Sequence, residues 1–444
     1  MFSQFLDNIT IERRNNMDPK YLILFFSVFI LTGMPITYVL GITGLMSIIL
    51  MGNIPLVALP QMMWTSLDSF PLMALPFFIL AGEIMNTSGI TVGLIDLSKL
   101  LVGRFRGGLA YASVVACTFF ASITGSASAT AAAVGGMMVP SMEKEGYDKD
   151  FSAATIAAAS VLGPIIPPST VMVMLAVTAG LSIGGLFLTG YVPGILYSIG
   201  LMVYISYKAK KENYPINKME MTNKEKLQVI KSSVPAAIMP LIMMGGILGG
   251  VFTATEAAAV SCVYGLFVGF FYMKTLKLKD LPVMITRTAV LTAAIDFILA
   301  GSNVLGWTLT VYQVPRIVAE WFLSISTNPI VILMLINILF LIMGCFMEIM
   351  VSVVMLTPIL FPLVESLGIH PLHFGIVMIF NLCIGMATPP LGLSLFVMCG
   401  ISKTTIERIT KAILPQIAVA IIVLLLITYI PAIPLALPRL FGLI

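Results

Sequence analysis

The sequence predicts an all-α integral membrane protein made of two duplicated halves, each carrying interrupted helices. Three observations predict it. Only 10% of the 444 residues are charged and 59% are hydrophobic, whereas soluble domains carry about 25% charged residues, so lipid is the main solvent of this chain. The apolar runs are broken repeatedly by Gly and Pro, and irregular backbone at membrane depth is tolerated only where it is buried in protein or lines a cavity. Finally, the chain repeats itself: Phe78-Ile79-Leu80-Ala81-Gly82 recurs unchanged as Phe297-Ile298-Leu299-Ala300-Gly301.

Residues 1–19 form a polar lead-in without the apolar core and cleavage site of a signal peptide. The first apolar run, Tyr21 to Met51, is interrupted by Gly33 and Pro35 and reads as a kinked span or two short elements. Apolar stretches follow at about 70–83, 108–141, 151–178 and 183–206, completing a first transmembrane repeat over 20–206. The stretch Tyr207 to Lys231 carries seven lysines, and short lysine-rich loops face the cytoplasm, so 207–233 is a cytoplasmic linker. The second repeat, 234–444, has apolar stretches at about 234–250, 255–273, 288–308, 329–363, 374–399 and 412–437. Lys274, Lys277, Lys279 and Arg287 form another basic cluster on the same side. The 232–273 segment between the two clusters therefore crosses an even number of times, with its outer turn near Gly250 to Glu256.

The duplication extends beyond one pentapeptide. The same offset carries Gly125 onto Gly344. After a shift of three, Pro140, Glu143, Gly146, Gly163, Pro167 and Pro168 fall on Pro362, Glu365, Gly368, Gly385, Pro389 and Pro390. An odd number of crossings in the first half makes the two repeats inverted. Duplicated halves with matched interruptions point to a secondary transporter, in which discontinuous helices from both halves meet near the bilayer midplane. The alternative is a duplicated bundle whose kinks serve packing alone.

Ser122, Thr124, Ser126, Ser128 and Thr130 put five hydroxyls among small residues within nine positions. That composition suits a breakpoint where hydroxyls and freed carbonyls converge on a hard cation, and it suits close helix packing too. Its partner is Gly163-Pro164-Ile165-Ile166-Pro167-Pro168-Ser169-Thr170, where prolines remove amide donors. The repeat places a second pair around Gly344 and Gly385 to Pro390. Ionisable residues in apolar segments are functional candidates because burial is costly: Glu83, Asp296, Glu256 and Glu348, with Asp68 and Glu320 nearer the interfaces. Each can instead be a helix cap or a structural pair.

Rival chemistries lack their residues. There is no Gly-x4-Gly-Lys-Ser/Thr, so the chain is not itself an ATPase. Gly180-Leu181-Ser182-Ile183-Gly184 has the form of a nucleophile elbow, without the strand-turn-helix setting. The five cysteines lie in apolar runs with no zinc spacing, and His370 and His373 read as loop residues. Gly245, Gly246, Gly249 and Gly250 form overlapping GxxxG pairs, a face for a neighbouring helix.

Four motifs together, Gly249 to Val260, Thr124 to Val134, Gly163 to Ser169 and Gly385 to Gly392, resemble the large membrane subunit of tripartite ATP-independent periplasmic (TRAP) transporters. The resemblance covers roughly 20–437. It implies an elevator-type importer in the bacterial inner membrane that couples Na+ to organic-acid uptake, with C4-dicarboxylates and sialic acids among suitable solutes. It also implies two partners, a small membrane subunit (Q-type) and a periplasmic substrate-binding protein (P-type). Two helical hairpins and two broken helices carry ions and substrate in that family. Carried over by motif, one sodium site falls on Ser122, Thr124, Ser126, Gly163, Ile166 and Pro167, and the second on Gly344, Gly385 and Thr388. Glu83, Asp296, Ser128 and Ser169 stand as substrate or coupling candidates. The family commonly has aspartate at the position of Glu348, which receives no ligand role.

Overall fold

The computed structural model describes residues 20–52, 54–216, 222–389 and 391–444. The lead-in 1–19 and Lys218 of the linker lie outside them. The described chain is helical with no strand among its elements, and eight of its helices are long and apolar enough to cross a membrane.

The first apolar run divides into α1 (Lys20–Leu31) and α2 (Ile36–Met51), because Gly33 adopts φ +76° and Pro35 caps the second helix. Next come α3 (Ala58–Leu67), a 3-10 turn (Phe70–Met73), α4 (Ala74–Thr87) and α5 (Ile90–Val102). A hairpin of α6 (Gly108–Thr124) and α7 (Ala127–Lys144) precedes an interrupted helix, α8 (Lys149–Ser160) and α9 (Thr170–Ala179), and α10 (Ile183–Lys211) closes the half. The second half opens with α11 (Asn223–Leu248), α12 (Ala254–Phe267), α13 (Leu281–Val311) and α14 (Val314–Ile325). It then repeats the pattern: a hairpin of α15 (Pro329–Phe346) and α16 (Ile349–Ser366), an interrupted helix of α17 (Pro371–Met386) and α18 (Leu393–Ser402), then α19 (Ile406–Tyr429) and α20 (Ala432–Leu440).

The halves pack reciprocally. Hairpin arm α7 of the first half lies on α18 of the second, and arm α16 of the second lies on α9 of the first. Likewise α8 contacts α19 while α17 contacts α10, and α2 contacts α13 while α12 contacts α4. Lipid tails are as apolar as leucine, so burial alone does not hold such helices together; small residues and buried hydrogen bonds do. Helix α8, Lys-Asp-Phe-Ser-Ala-Ala-Thr-Ile-Ala-Ala-Ala-Ser, shows the consequence, since every residue from Phe151 to Ser160 is buried. Tyr197 of α10 bridges the halves: its hydroxyl donates to Ala158 O at 3.0 Å, and its ring meets Phe380 of α17 edge-on at 5.8 Å.

Basic residues gather at one end. Lys208, Lys210 and Lys211 end α10, Tyr214 beyond them stacks on Tyr147 at 4.6 Å, and Arg408 pairs with Asp150 at 2.7 Å. The opposite end holds the 180–182 and 249–253 turns, which share a 560 Å³ cavity. There the glycine run departs from the expected packing face. Helix α11 stops at Leu248, Gly250 takes φ +67°, and the Phe252 ring folds back over Gly246. Gly249 and Gly250 make a turn, while Gly245 and Gly246 stay within α11.

Candidate functional site

Helix α6 stops at Thr124 because Gly125 adopts φ +58° and gives its N–H to Ala121 O at 3.1 Å. Ser126 is extended, with φ −135°, and α7 starts at once. This two-residue reversal brings the carbonyl end of one helix and the amide end of the next to a single tip. Thr124 Oγ1 lies 2.8 Å from Thr130 Oγ1, 3.1 Å from Phe120 O and 3.4 Å from Ser126 O. Ser126 Oγ lies 3.2 Å from Ser128 Oγ. The half-buried Ser122, on the last turn of α6, joins none of these bonds.

The tip rests on the gap in the interrupted helix. A β-carbon on Gly163 would lie 2.6 Å from Ser126 O, and one on Gly125 would lie 3.1 Å from Pro168 O, so glycine is what lets the two breakpoints touch. Pro164, Pro167 and Pro168 supply no N–H, which leaves carbonyls of the preceding turn without helical donors. Ile166 is buried against Gly194 of α10. Ser169 caps α9, its Oγ accepting the Met172 N–H at 3.3 Å. Between Thr124, Gly125, Pro168 and Thr170 lies a cavity of about 10 Å³, room for roughly one water-sized sphere. Neutral hydroxyl and carbonyl oxygens of this kind suit a small hard cation.

The second pair also brings a tip onto a gap, but through a different turn: α15 runs on through Gly344 to Phe346 with no left-handed glycine. A β-carbon on Gly344 would lie 2.6 Å from Leu382 O, one turn before Gly385. Met347 and Glu348 are extended ahead of α16, and Glu348 caps that helix, accepting the Met350 N–H at 2.7 Å and the Val351 N–H at 3.3 Å. Thr388 Oγ1 donates to Ile384 O at 2.7 Å, and Cys345 Sγ lies 3.7 Å from Pro389 O. The hydroxyl cluster is therefore confined to the first tip.

The remaining ionisable candidates are spread out. Glu83 lies on α4 and pairs with Arg287 of α13 at 3.7 Å. Its neighbour Gly82 abuts Ile123 O in the first hairpin, so α4 touches the tip while its carboxylate points elsewhere. Asp296 lines a 370 Å³ groove between α13 and α4, with Thr288 and Thr292. Glu256 belongs to a capping box with Thr253, and Glu320 pairs with Arg316 at 2.8 Å. In the elbow-like motif, Gly180 ends α9 with φ +66° and Ser182 caps α10. That serine is a helix cap.

The family model described as "Tripartite ATP-independent periplasmic transporter, DctM component" matches residues 23–433. The chain belongs to the DctM family. DctM relatives include the isethionate TRAP transporter permease protein DctMQ of Oleidesulfovibrio alaskensis, 41% identical over 93% of this chain; this chain spans 65% of that protein's length. The C4-dicarboxylate large permease DctM of Pseudomonas aeruginosa is 38% identical, covering 91% of this chain and 94% of its own. The sialic acid large permease SiaM of Vibrio cholerae is 37% identical, covering 92% and 96%. Among solved structures, the crystal structure of the Alcanivorax borkumensis YdaH transporter superposes with a TM-score of 0.59 at 13% identity, over 81% of this chain and 84% of that one. Its likeness concerns the fold. DctM proteins are components of transporters, not enzymes, and this one is a multi-pass membrane protein.

One feature of this DctM chain escaped the sequence reading. Asn381 of α17 donates to Asn337 O at 2.9 Å and Asn337 Oδ1 at 2.8 Å, and Asn337 Nδ2 donates to Thr428 Oγ1 at 3.2 Å. This buried polar chain ties α15, α17 and α19 together one turn from Gly385. Two asparagines inside strongly apolar helices were the available signal.

Proposed function

We propose that this chain is the large permease of a sodium-coupled importer of organic acids, working by an elevator mechanism in the bacterial inner membrane. One observation supports it most: each half brings a hairpin tip onto the gap of an interrupted helix, at Gly125 and Gly163 in the first half and at Gly344 and Gly385 in the second. Duplicated breakpoints of this kind offer partial charges and unclaimed carbonyls to ions and an anionic solute. In this reading Ser122, Thr124, Ser126, Gly163, Ile166 and Pro167 surround one Na+, and Gly344, Gly385 and Thr388 surround another. Ser128 and Ser169 lie beside the path of the solute carboxylate.

The lysine-rich end faces the cytoplasm by the positive-inside rule, and the two repeats have inverted topology. The moving part consists of the hairpins and interrupted helices, and helices α4, α11, α12 and α13 brace it. The relatives named for isethionate, sialic acid and C4-dicarboxylate transport support an organic anion as solute. The fused DctMQ relative supports a small membrane partner.

A soluble binding protein completes the proposal. The first tip offers hydroxyls and the second offers backbone, Thr388 and the capping carboxylate of Glu348, so neither has a cationic side chain with which to capture a dilute anion. A binding protein that concentrates the solute and favours one conformation on docking meets that need. The test is reconstitution in liposomes with an inward sodium gradient, adding the small subunit and the binding protein separately. Uptake should require both. Full-rate uptake by this chain alone would promote a free-standing sodium–dicarboxylate symporter instead.

A further inference from the structure

At the end of the molecule opposite the lysines, a 360 Å³ pocket is lined by Ile330, Leu333, His370, His373, Tyr429 and Arg439, among others. Its position follows from α19, which carries Arg408 at the lysine-rich end and finishes at Tyr429 beside the pocket. Both histidines of the chain converge here. No Asp or Glu lines the pocket. Arg439 is exposed and, among the described residues, makes no ion pair, in contrast to Arg316, which pairs with Glu320 at 2.8 Å.

The donors are ordered. His370 caps α17, its Nδ1 accepting the Leu372 N–H at 3.2 Å, so the proton of the neutral ring sits on Nε2, which is left free to donate. Burial, and then the nearby Arg439 charge, hold this imidazole below its ordinary pKa. The ring is therefore a neutral donor beside an unpaired guanidinium. His373 Nε2 is engaged with Ile427 O at 2.8 Å, which fixes one wall. Leu333 and Leu435 make the remaining surface apolar.

We propose that this pocket binds the carboxylate of a small organic acid, at a site separate from the two breakpoints. A guanidinium matches a carboxylate in a two-pronged geometry, the His370 Nε2–H supplies a further donor, and the start of α17 adds partial positive charge. The volume falls within the usual range for small-ligand pockets, roughly 300–1,000 Å³, and the apolar wall suits the carbon skeleton of the acid. Binding here needs no uptake, so its readout is independent of the transport reading.

Ile330 lines the pocket and is 59% exposed, which makes it a reporter. The full chain carrying Ile330→Cys, in proteoliposomes, is labelled with an impermeant maleimide with and without millimolar succinate or N-acetylneuraminate, and the chain without that cysteine gives the background. The expected result is labelling slowed at least threefold by either acid and not by succinamide. Arg439→Gln in the same background should remove the protection while leaving the unprotected labelling rate as it was, and Arg439→Lys should restore part of it. Equal rates with and without both acids would overturn the proposal, as would protection that survives Arg439→Gln. Labelling that is blocked until lipid is stripped away would assign the pocket to a lipid headgroup and overturn it too.

Discussion

Gly385 faces Gly344 so closely that a β-carbon on it would lie 2.9 Å from the Cys345 amide nitrogen. The first half makes the equivalent approach at Gly163 and Ser126. In both places the obstruction would be backbone, which cannot rotate aside. Gly163→Ala and Gly385→Ala should each destabilise the chain by about 1–3 kcal/mol and lower uptake more than tenfold, read by thermal unfolding in detergent and by proteoliposome transport. Wild-type uptake from either variant would mean that the tips do not need contact with the gaps.

The ion reading makes a different demand. Ser126→Ala removes a hydroxyl at the first tip, and Thr388→Val removes one beside the second gap. Each should raise the sodium concentration for half-maximal uptake several-fold while expression is unchanged. If both titrations match the wild type, or a proton gradient alone drives uptake, coupling passes through Glu83 or Asp296 instead.

Glu83 itself is expected to be structural. Its pairing with Arg287 at 3.7 Å leaves the arginine 64% exposed, and exposed pairs contribute at most about 1 kcal/mol. Glu83→Gln should therefore leave the sodium titration unaltered and shift stability by no more than that. A changed sodium dependence would return Glu83 to the coupling machinery.

For Glu348 the two bonds to Met350 and Val351 predict a capping role. Glu348→Ala should lower stability by about 1 kcal/mol, whereas Glu348→Asp, which keeps a capping carboxylate, should retain most of it. Thermal unfolding distinguishes the two. Equal losses in both variants would show that the carboxylate length, and so a more distant contact, is what matters.

The architecture was legible because its signals are covalent and repeated. Gly125, or Pro167 and Pro389, announce a break whatever surrounds them, since glycine permits a left-handed turn and proline removes a donor; Gly344, matched to Gly125 by the repeat, stays helical, and its hairpin breaks three residues later. The roles of polar side chains were less legible. Ser169 reads as a substrate or coupling candidate, Ser182 as part of a nucleophile-elbow form and Glu348 as an ionisable residue without a role until the first residue of the following helix is known; only then does a three-residue spacing read as a cap. The asparagine pair was hidden for another reason, because Asn337 and Asn381 lie on different helices and nothing local to either names its partner. The absence of a hydroxyl cluster at the second tip could be read directly, since the positions matching Thr124 and Ser126 are Met343 and Cys345.

The reciprocal packing of α7 on α18 and of α16 on α9 has a consequence for synthesis. When α7 leaves the ribosome, the surface it will rest on lies some 250 residues downstream, which at 5–20 residues per second is a wait on the order of tens of seconds. Through that interval the first hairpin must stay in the bilayer with its small-residue face uncovered, and no earlier segment can shield it permanently without blocking the later exchange. A chain cut within the 207–233 linker should therefore leave a first fragment that quality-control proteases remove, and co-expression of the second fragment should rescue it.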